Sequence, residues 1–177
     1  MIQVGIIGGA GYTAGELIRL LINHSETEIN FVFSTSNAGN KISKIHQDLV
    51  GSLDLKFTDT VNPDVDVLFL CLGHGNSVKF LSSNTFSNST KIIDLGNDFR
   101  LEADMLFEGK TFVYGLPELN KYAIKSANYI ANPGCFATAI QLGLLPLADK
   151  GLLKNDVHIN AVTGATGAGT SLSATTH

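Results

Sequence analysis

The chain reads as an α/β protein built on a doubly wound, mostly parallel sheet. Short apolar runs alternate with amphipathic stretches, the runs are apolar on both faces, and a glycine cluster joins the first run to the first amphipathic stretch. Ile2–Ile7 is the first expected strand and Ala14–Asn23 the helix after it. Ile29–Ser34, Val65–Leu72 and Lys91–Leu95 are the next strands; Ile6-Ile7 and Leu68-Phe69-Leu70 show no polar alternation, as in strands covered by helices on both sides. The Ser/Asn-rich patch Ser82–Ser89 is expected as a solvated loop. Phe136–Lys150 is a long helix, with Ile140, Leu144, Leu147 and Ala148 at helical spacing and Gly151 as its stop. Beyond it, Val157–Val162 alternates apolar with polar residues, the pattern of a half-buried antiparallel strand, and leads into the small residues of Thr163–Ser171. Residues 1–153 are therefore expected to form one doubly wound domain, and 154–177 the first strand and loop of a second, α+β domain that is opened but not completed.

With 177 residues, 44% of them hydrophobic and 16% charged, the chain can bury a core and is too apolar for disorder. Twelve basic against sixteen acidic residues give a net charge of −4 without runs of either sign, so a nucleic-acid partner is not expected. The longest apolar stretch falls far short of the ~20 residues that span a bilayer. The N-terminus lacks the basic region of a signal peptide. A cytoplasmic protein with two free thiols, Cys71 and Cys135, is the expectation.

Gly8 to Gly15 directly follows the first strand and opens the first helix, and Gly9-x-Gly11-x-x-Ala14 fits the dinucleotide fingerprint. Glycine there permits the tight turn and lets backbone N–H groups approach a pyrophosphate. Gly8, Gly9, Gly11, Tyr12, Thr13 and Ala14 are therefore cofactor-binding candidates in a Rossmann-type domain. An acid at the tip of the second strand would accept the ribose hydroxyls of NAD. The strand ends instead in Ser34-Thr35-Ser36-Asn37, with Lys41 following. Ser34, Ser36 and Lys41 suit a ribose phosphate, so NADP is favoured over NAD.

Cys135 stands between the turn Asn132-Pro133-Gly134 and the start of a helix, where unpaired N–H groups and the helix dipole favour thiolate over thiol. It is the candidate nucleophile. Cys71, in a run of Val, Leu and Phe, is expected as plain core. His74, between Gly73 and Gly75 after a central strand, and Gly75 itself are placed in the cofactor cleft. His24 and His46 are expected at the surface, and no His or Cys pair has metal-ligand spacing, so no metal is expected. Arg100, after another central strand, is a planar cation suited to a phosphate or carboxylate; the competing reading pairs it with Asp98 or Glu102 at the surface.

Together these residues resemble the N-acetyl-γ-glutamyl-phosphate reductase family of arginine biosynthesis. The resemblance runs along the whole chain: the Gly8–Gly15 loop, Ser34–Ser36 with Ala38-Gly39 and Lys41, Gly73-His74-Gly75, Asp94-Leu95-x-x-Asp98-Phe99-Arg100-Leu101, Tyr114-Gly115-Leu116-Pro117-Glu118-Leu119, Asn132-Pro133-Gly134-Cys135-x-Ala137-Thr138, and Thr163 to Gly169. Gly73 stands where the family usually has Pro, and Gly96-Asn97 where it more often has Ser-Ala. The resemblance implies an NADP-dependent oxidoreductase that reduces a small acyl phosphate to its semialdehyde through a thioester on Cys135. It also implies substrate contacts from Arg100 and Asn132, a close approach of Gly167 and Gly169 to the nicotinamide, and a homo-oligomer at full length. The general acid/base His of that family lies beyond His177, so the 177-residue chain alone is expected to be impaired. Two alternatives stay open: an aspartate-semialdehyde-type dehydrogenase, which shares the thioester mechanism, and a non-catalytic NADP-binding or redox module.

Overall fold

The computed structural model describes residues 1–169. Its centre is a sheet of seven strands in the order β3-β2-β1-β4-β5-β9-β8. These are β1 (Ile2–Ile7), β2 (Thr27–Phe33), β3 (Phe57–Thr58), β4 (Val67–Leu70), β5 (Lys91–Asp94), β8 (Val113–Tyr114) and β9 (Tyr129–Ala131). Every pairing is parallel. A hairpin of β6 (Leu106–Phe107) and β7 (Lys110–Thr111) stands apart. The chain winds outward from β1 in both directions, so the strand order reverses beside β1, and in such sheets the crevice at the carboxyl ends of the strands receives the ligand.

Among the described residues three α-helices connect strands, α1 (Tyr12–Leu21), α2 (Asn76–Ser83) and α3 (Pro117–Ser126), and α4 (Cys135–Asp149) follows the last strand. Helix α1 buries Ala14, Gly15, Ile18 and Leu21 along one stripe. With Val4, Ile6, Val32 and Phe57 of the sheet, Ala14, Ile18 and Leu21 form one core cluster. A second cluster joins Ile7, Leu68, Leu70 and Ile92 to Phe99 and Phe112, whose rings stack at 3.9 Å. Two apolar layers, one against each face, are what strands without alternation require.

Strand β1 coincides with its expected range, and β2, β4, β5, α1 and α4 stand where the apolar periodicity places them, their ends shifted by at most two residues. The expected strand Val157–Val162 is not formed: the segment is irregular and exposed. Its alternation fits a strand, yet no described segment pairs with it, and a lone strand leaves its backbone groups to water. Ser82 and Ser83, expected in a loop, close the last turn of α2 by donating their hydroxyls to the carbonyls of Val78 and Lys79 at 2.9 and 3.1 Å.

Candidate active site

The turn from β1 into α1 is built by its glycines. Gly8 has φ +79°, open to glycine at little cost, and a Cβ on Gly9 would fall 2.1 Å from Val32 Cγ1. Gly8 and Gly9 both donate to Phe33 O, at 3.1 and 2.9 Å, which ties the turn to the tip of β2. The first intrahelical donor is Gly15, to Gly11 O at 3.0 Å, and no side chain caps the helix. The N–H groups of Ala10, Tyr12, Thr13 and Ala14 thus find no acceptor among the described residues. This is the donor set a pyrophosphate uses, at the positive end of a helix. Tyr12 and Thr13 are exposed, whereas Ala14 is fully buried and packs α1 on the sheet, so any contact it offers an anion is through its backbone.

At the tip of β2, Ser34 is buried and accepts from Asn37 Nδ2 at 3.3 Å, while Ser36 is exposed and accepts from the same amide at 3.1 Å. Lys41 is paired with Asp54 at 2.7 Å. Of the three residues expected around a ribose phosphate, only Ser36 is exposed and has no ionic partner.

Past β4, His74 is exposed on the loop leading to α2. That loop is fixed from the next one: Asp98 accepts N–H bonds from Gly75 at 2.7 Å, Ser77 at 2.9 Å and Val78 at 3.1 Å. A carboxylate therefore already occupies the N-terminus of α2. Two residues on, Arg100 makes neither of the surface pairings considered for it. Its Nε donates to Asn132 O at 2.8 Å and its Nη2 to Leu95 O at 2.9 Å, and a Cβ on Gly134 would lie 3.0 Å from Nη1. Arg100 thus lies against the turn that carries Cys135.

Cys135 is exposed and is the first residue of α4, behind Gly134, which provides no side-chain cap. The first bond into this helix comes from Thr138, whose N–H and hydroxyl both donate to Gly134 O at 2.9 Å. The N–H groups of Cys135, Phe136 and Ala137 have no described acceptor. Asn132 is anchored by its own N–H to Asp94 O at 2.8 Å. Gly167 lies on the separate turn Ala165–Ala168 and Gly169 directly follows it, and their described hydrogen bonds stay within 164–169; nothing described joins them to the glycine loop or to Cys135.

Cys71 is partly buried against the core, and burial first, then the Asp94 carboxylate, pushes its thiol up to about 12, which keeps it neutral. Asp94 is fully buried; Oδ1 accepts from Ser77 Oγ at 2.5 Å and from Gly96 N at 3.1 Å, while Oδ2 has no partner. Burial raises its carboxyl above the usual range, partly opposed by the Ser77 hydrogen bond.

His46 corrects the sequence reading. It is 6% exposed, not a surface residue, and its Nε2 donates to Gly9 O at 2.8 Å. Ile42, His46 and Leu49 are all buried, on two short 3-10 turns, Ile42–Lys44 and Gln47–Leu49, and the bend between them. His24 and His158 are exposed, and His177 lies outside the described residues. Among the described residues no group of three His, Cys, Asp or Glu could hold a metal ion, and no helix is long and apolar enough to cross a membrane. A shallow depression lined by Met1, Ile2, Glu26, Asp66, Val67 and Lys91 opens at the opposite ends of the strands and contains none of the groups above.

The family model for the semialdehyde dehydrogenase NAD binding domain matches residues 3–127, and that for the semialdehyde dehydrogenase dimerisation domain matches residues 135–177. Relatives named N-acetyl-gamma-glutamyl-phosphate reductase from Flavobacterium johnsoniae and Christiangramia forsetii are 67% and 64% identical over 177 residues. Each alignment covers 100% of this chain and 54% of the relative, so the chain spans about half the length of the curated relatives it matches. Among solved structures, aspartate semialdehyde dehydrogenase with NADP from Candida albicans superposes with a TM-score of 0.62 at 18% identity, over 86% of this chain and 48% of that one. Aspartate semialdehyde dehydrogenase II complexed with ASA from Vibrio cholerae gives 0.59 at 20% identity, over 84% and 47%. These two likenesses are of fold. The match of the NAD binding domain model along residues 3–127 places the chain in the semialdehyde dehydrogenase family.

Proposed function

We propose that the protein to which this chain belongs reduces N-acetylglutamyl 5-phosphate to N-acetylglutamate 5-semialdehyde, with Cys135 as nucleophile and NADPH as reductant. The observation that carries this is the placement of Cys135: exposed, first in α4, and buttressed from behind by Arg100. The names of the most similar relatives supply the substrate.

The Cys135 thiolate attacks the acyl carbonyl, the bond from carbon to the phosphate oxygen breaks, and inorganic phosphate leaves with a proton from the medium. A thioester remains on Cys135. Bound in the cleft, the nicotinamide cofactor supplies the hydride that reduces this thioester. The carbon–sulfur bond then breaks, releasing the aldehyde and regenerating the thiolate. At both tetrahedral stages charge develops on the carbonyl oxygen, beside the open N–H groups of Cys135, Phe136 and Ala137.

Arg100 uses Nε and Nη2 on backbone carbonyls, which leaves Nη1 for the substrate phosphate or carboxylate. Asn132 shapes the same turn. The glycine loop, with Gly8, Gly9, Gly11, Tyr12, Thr13 and Ala14, holds the pyrophosphate, and His74 and Gly75 border the cleft. Ser36 favours a ribose phosphate, with Ser34 shaping the loop and Lys41 adding charge once released from Asp54. Gly167 and Gly169 reach the nicotinamide only if the 164–169 turn docks on the cleft. The start of the dimerisation domain supports a homo-oligomer.

The test is phosphate-dependent reduction of NADP by the purified protein with N-acetylglutamate 5-semialdehyde. Cys135→Ala should lower kcat by at least about a thousandfold while NADPH binding stays within about twofold. An alanine variant retaining a tenth of the activity overturns the covalent mechanism.

A further inference from the structure

Gly15 is explained by neither the pyrophosphate nor the helix. It lies inside α1, where glycine costs about 1 kcal/mol relative to alanine. The space for a side chain is already taken: a Cβ at Gly15 would lie 2.6 Å from His46 Nδ1 and 2.7 Å from His46 Cε1. The His46 ring therefore lies against α1 where alanine would exclude it, and it is held there by its neighbours. Phe57 flanks it with ring centroids 6.5 Å apart, and Ile42 and Leu49, on either side in sequence, are buried in the core. Asp48, two residues on, pairs with Arg19 of α1, with Nη2 donating to Oδ1 at 2.8 Å.

The ring's one hydrogen bond within this arrangement goes to Gly9 O. A carbonyl only accepts, so Nε2 carries the proton. The peptide joining Gly9 to Ala10 is trans, as are all the described peptides, and in a trans peptide the C=O and N–H point in opposite directions. With the Gly9 carbonyl drawn inward onto His46, the Ala10 N–H is turned outward, and it has no acceptor among the described residues. The orientation of that N–H is thus set from inside the protein.

We infer that His46 is a positioning residue for the dinucleotide: by holding Gly9 O it presents the Ala10 N–H to the pyrophosphate, and Gly15 is glycine to admit it. This rests on the cofactor reading above. The His46 ring touches no cofactor atom in this account; its effect passes through one peptide plane. A purely structural histidine would weaken every ligand of the domain alike. A residue acting through the Ala10 N–H should weaken only those that carry a pyrophosphate.

His46→Phe keeps an aromatic ring between Phe57 and Gly15 and removes the donor; His46→Gln keeps a donor on a longer arm. Binding of NADPH and of adenosine 2′-monophosphate, which has the adenine, ribose and 2′-phosphate but no pyrophosphate, is measured by calorimetry on each purified variant, with melting temperature followed in parallel. H46F should bind NADPH about tenfold more weakly, the loss of one well-placed hydrogen bond. Its affinity for the monophosphate should stay within about twofold of the parent, and H46Q should recover most of the NADPH affinity. Should H46F fail to fold, His46→Asn, too short to reach Gly9, carries the same expectation. Equal losses for both ligands, or none for NADPH, overturn the proposal. A parent protein that binds the monophosphate but no dinucleotide overturns the cofactor reading and the proposal together, whereas normal NADPH binding by H46F overturns the proposal alone.

Discussion

Arg100→Lys is the substitution that most directly probes how the nucleophile turn is held. The guanidinium spans two carbonyls from different segments, Leu95 O and Asn132 O, at 2.9 and 2.8 Å. A single ammonium has the charge but not the fork, and cannot reproduce two divergent bonds from one planar group. One hydrogen bond from a charged donor is lost, worth about 1.5–3 kcal/mol, with part recovered by water because the side chain is only half-buried. A net loss of about 1.5–2 kcal/mol is expected, equivalent to about 3–8 °C in Tm for a chain of this size. The Asn132 to Gly134 turn should then relax, and since displacements of about 1 Å can cost a hundredfold, kcat should fall by one to two orders of magnitude. Urea unfolding gives the stability change, and the rate of Cys135 alkylation by iodoacetamide reports the turn itself. Cys71 serves as an internal control, because its thiol is pushed up to about 12 and should not react at neutral pH. An R100K protein within about 0.5 kcal/mol of the parent, with unchanged Cys135 alkylation and turnover, would refute the claim that Arg100 buttresses the turn.

Asp94 and Asp98 give two further expectations. Burial raises the Asp94 carboxyl above its ordinary 3.8, so its favourable contribution to stability is complete below that value and is lost as pH rises through the folded-state value, at about 1.4 kcal/mol per pH unit within that window. Asp94→Asn keeps an oxygen for Ser77 and Gly96 but cannot ionise; in urea titrations it should gain on the parent as pH rises from about 4, and a difference that does not change with pH would contradict this. Asp98→Ala removes the acceptor for three N–H groups at the start of α2 and should cost about 2 kcal/mol or more. Hydrogen exchange at Gly75, Ser77 and Val78 should accelerate while the amides of β1 stay protected; uniform acceleration would mean that Asp98 supports the whole domain and not this loop.

What could be read from the sequence were the features long enough to carry a period or specific enough to carry a mechanism. Strands β1, β2, β4 and β5 are apolar runs between turn signals, and the Gly8–Gly15 loop and the turn before Cys135 announce themselves by composition and position. Strands β3, β8 and β9 have two or three residues each, too few for alternation to register. Helix α2 was hidden because its last turn falls in the Ser/Asn-rich patch, and its serines satisfy themselves on carbonyls four residues back. Arg100 was legible as a cation near the cleft, but its partners are backbone carbonyls, which no side-chain pattern reveals. The burial of His46 is not legible, because its neighbours Lys44, Gln47 and Asp48 are polar and the matching absence of a Cβ at Gly15 lies far away in sequence.

The three helices that begin at the carboxyl edge of the central strands have different N-termini, and the difference bears on the roles proposed for them. Helix α2 is closed: three N–H groups at its start are taken by Asp98, so an incoming phosphate finds a negative charge in place of donors. Helices α1 and α4 are open, with no side-chain cap on either, and only the second begins with a cysteine. On the proposed function, the anion of the cofactor would sit on α1 and the developing oxyanion of the acyl group on α4. In the sheet, β1 and β9 are separated by β4 and β5, three strand spacings of about 4.8 Å or roughly 14 Å in all. On the same proposal the ribose and ring of the nicotinamide half would cross that gap, over the loops that follow β4 and β5. Those are the loops that carry His74 and Arg100, and Asp98 fastens one to the other. A carboxylate that closes one helix terminus thus also fixes the floor between the two that remain open, so Asp98 should matter to cofactor and nucleophile alike without contacting either.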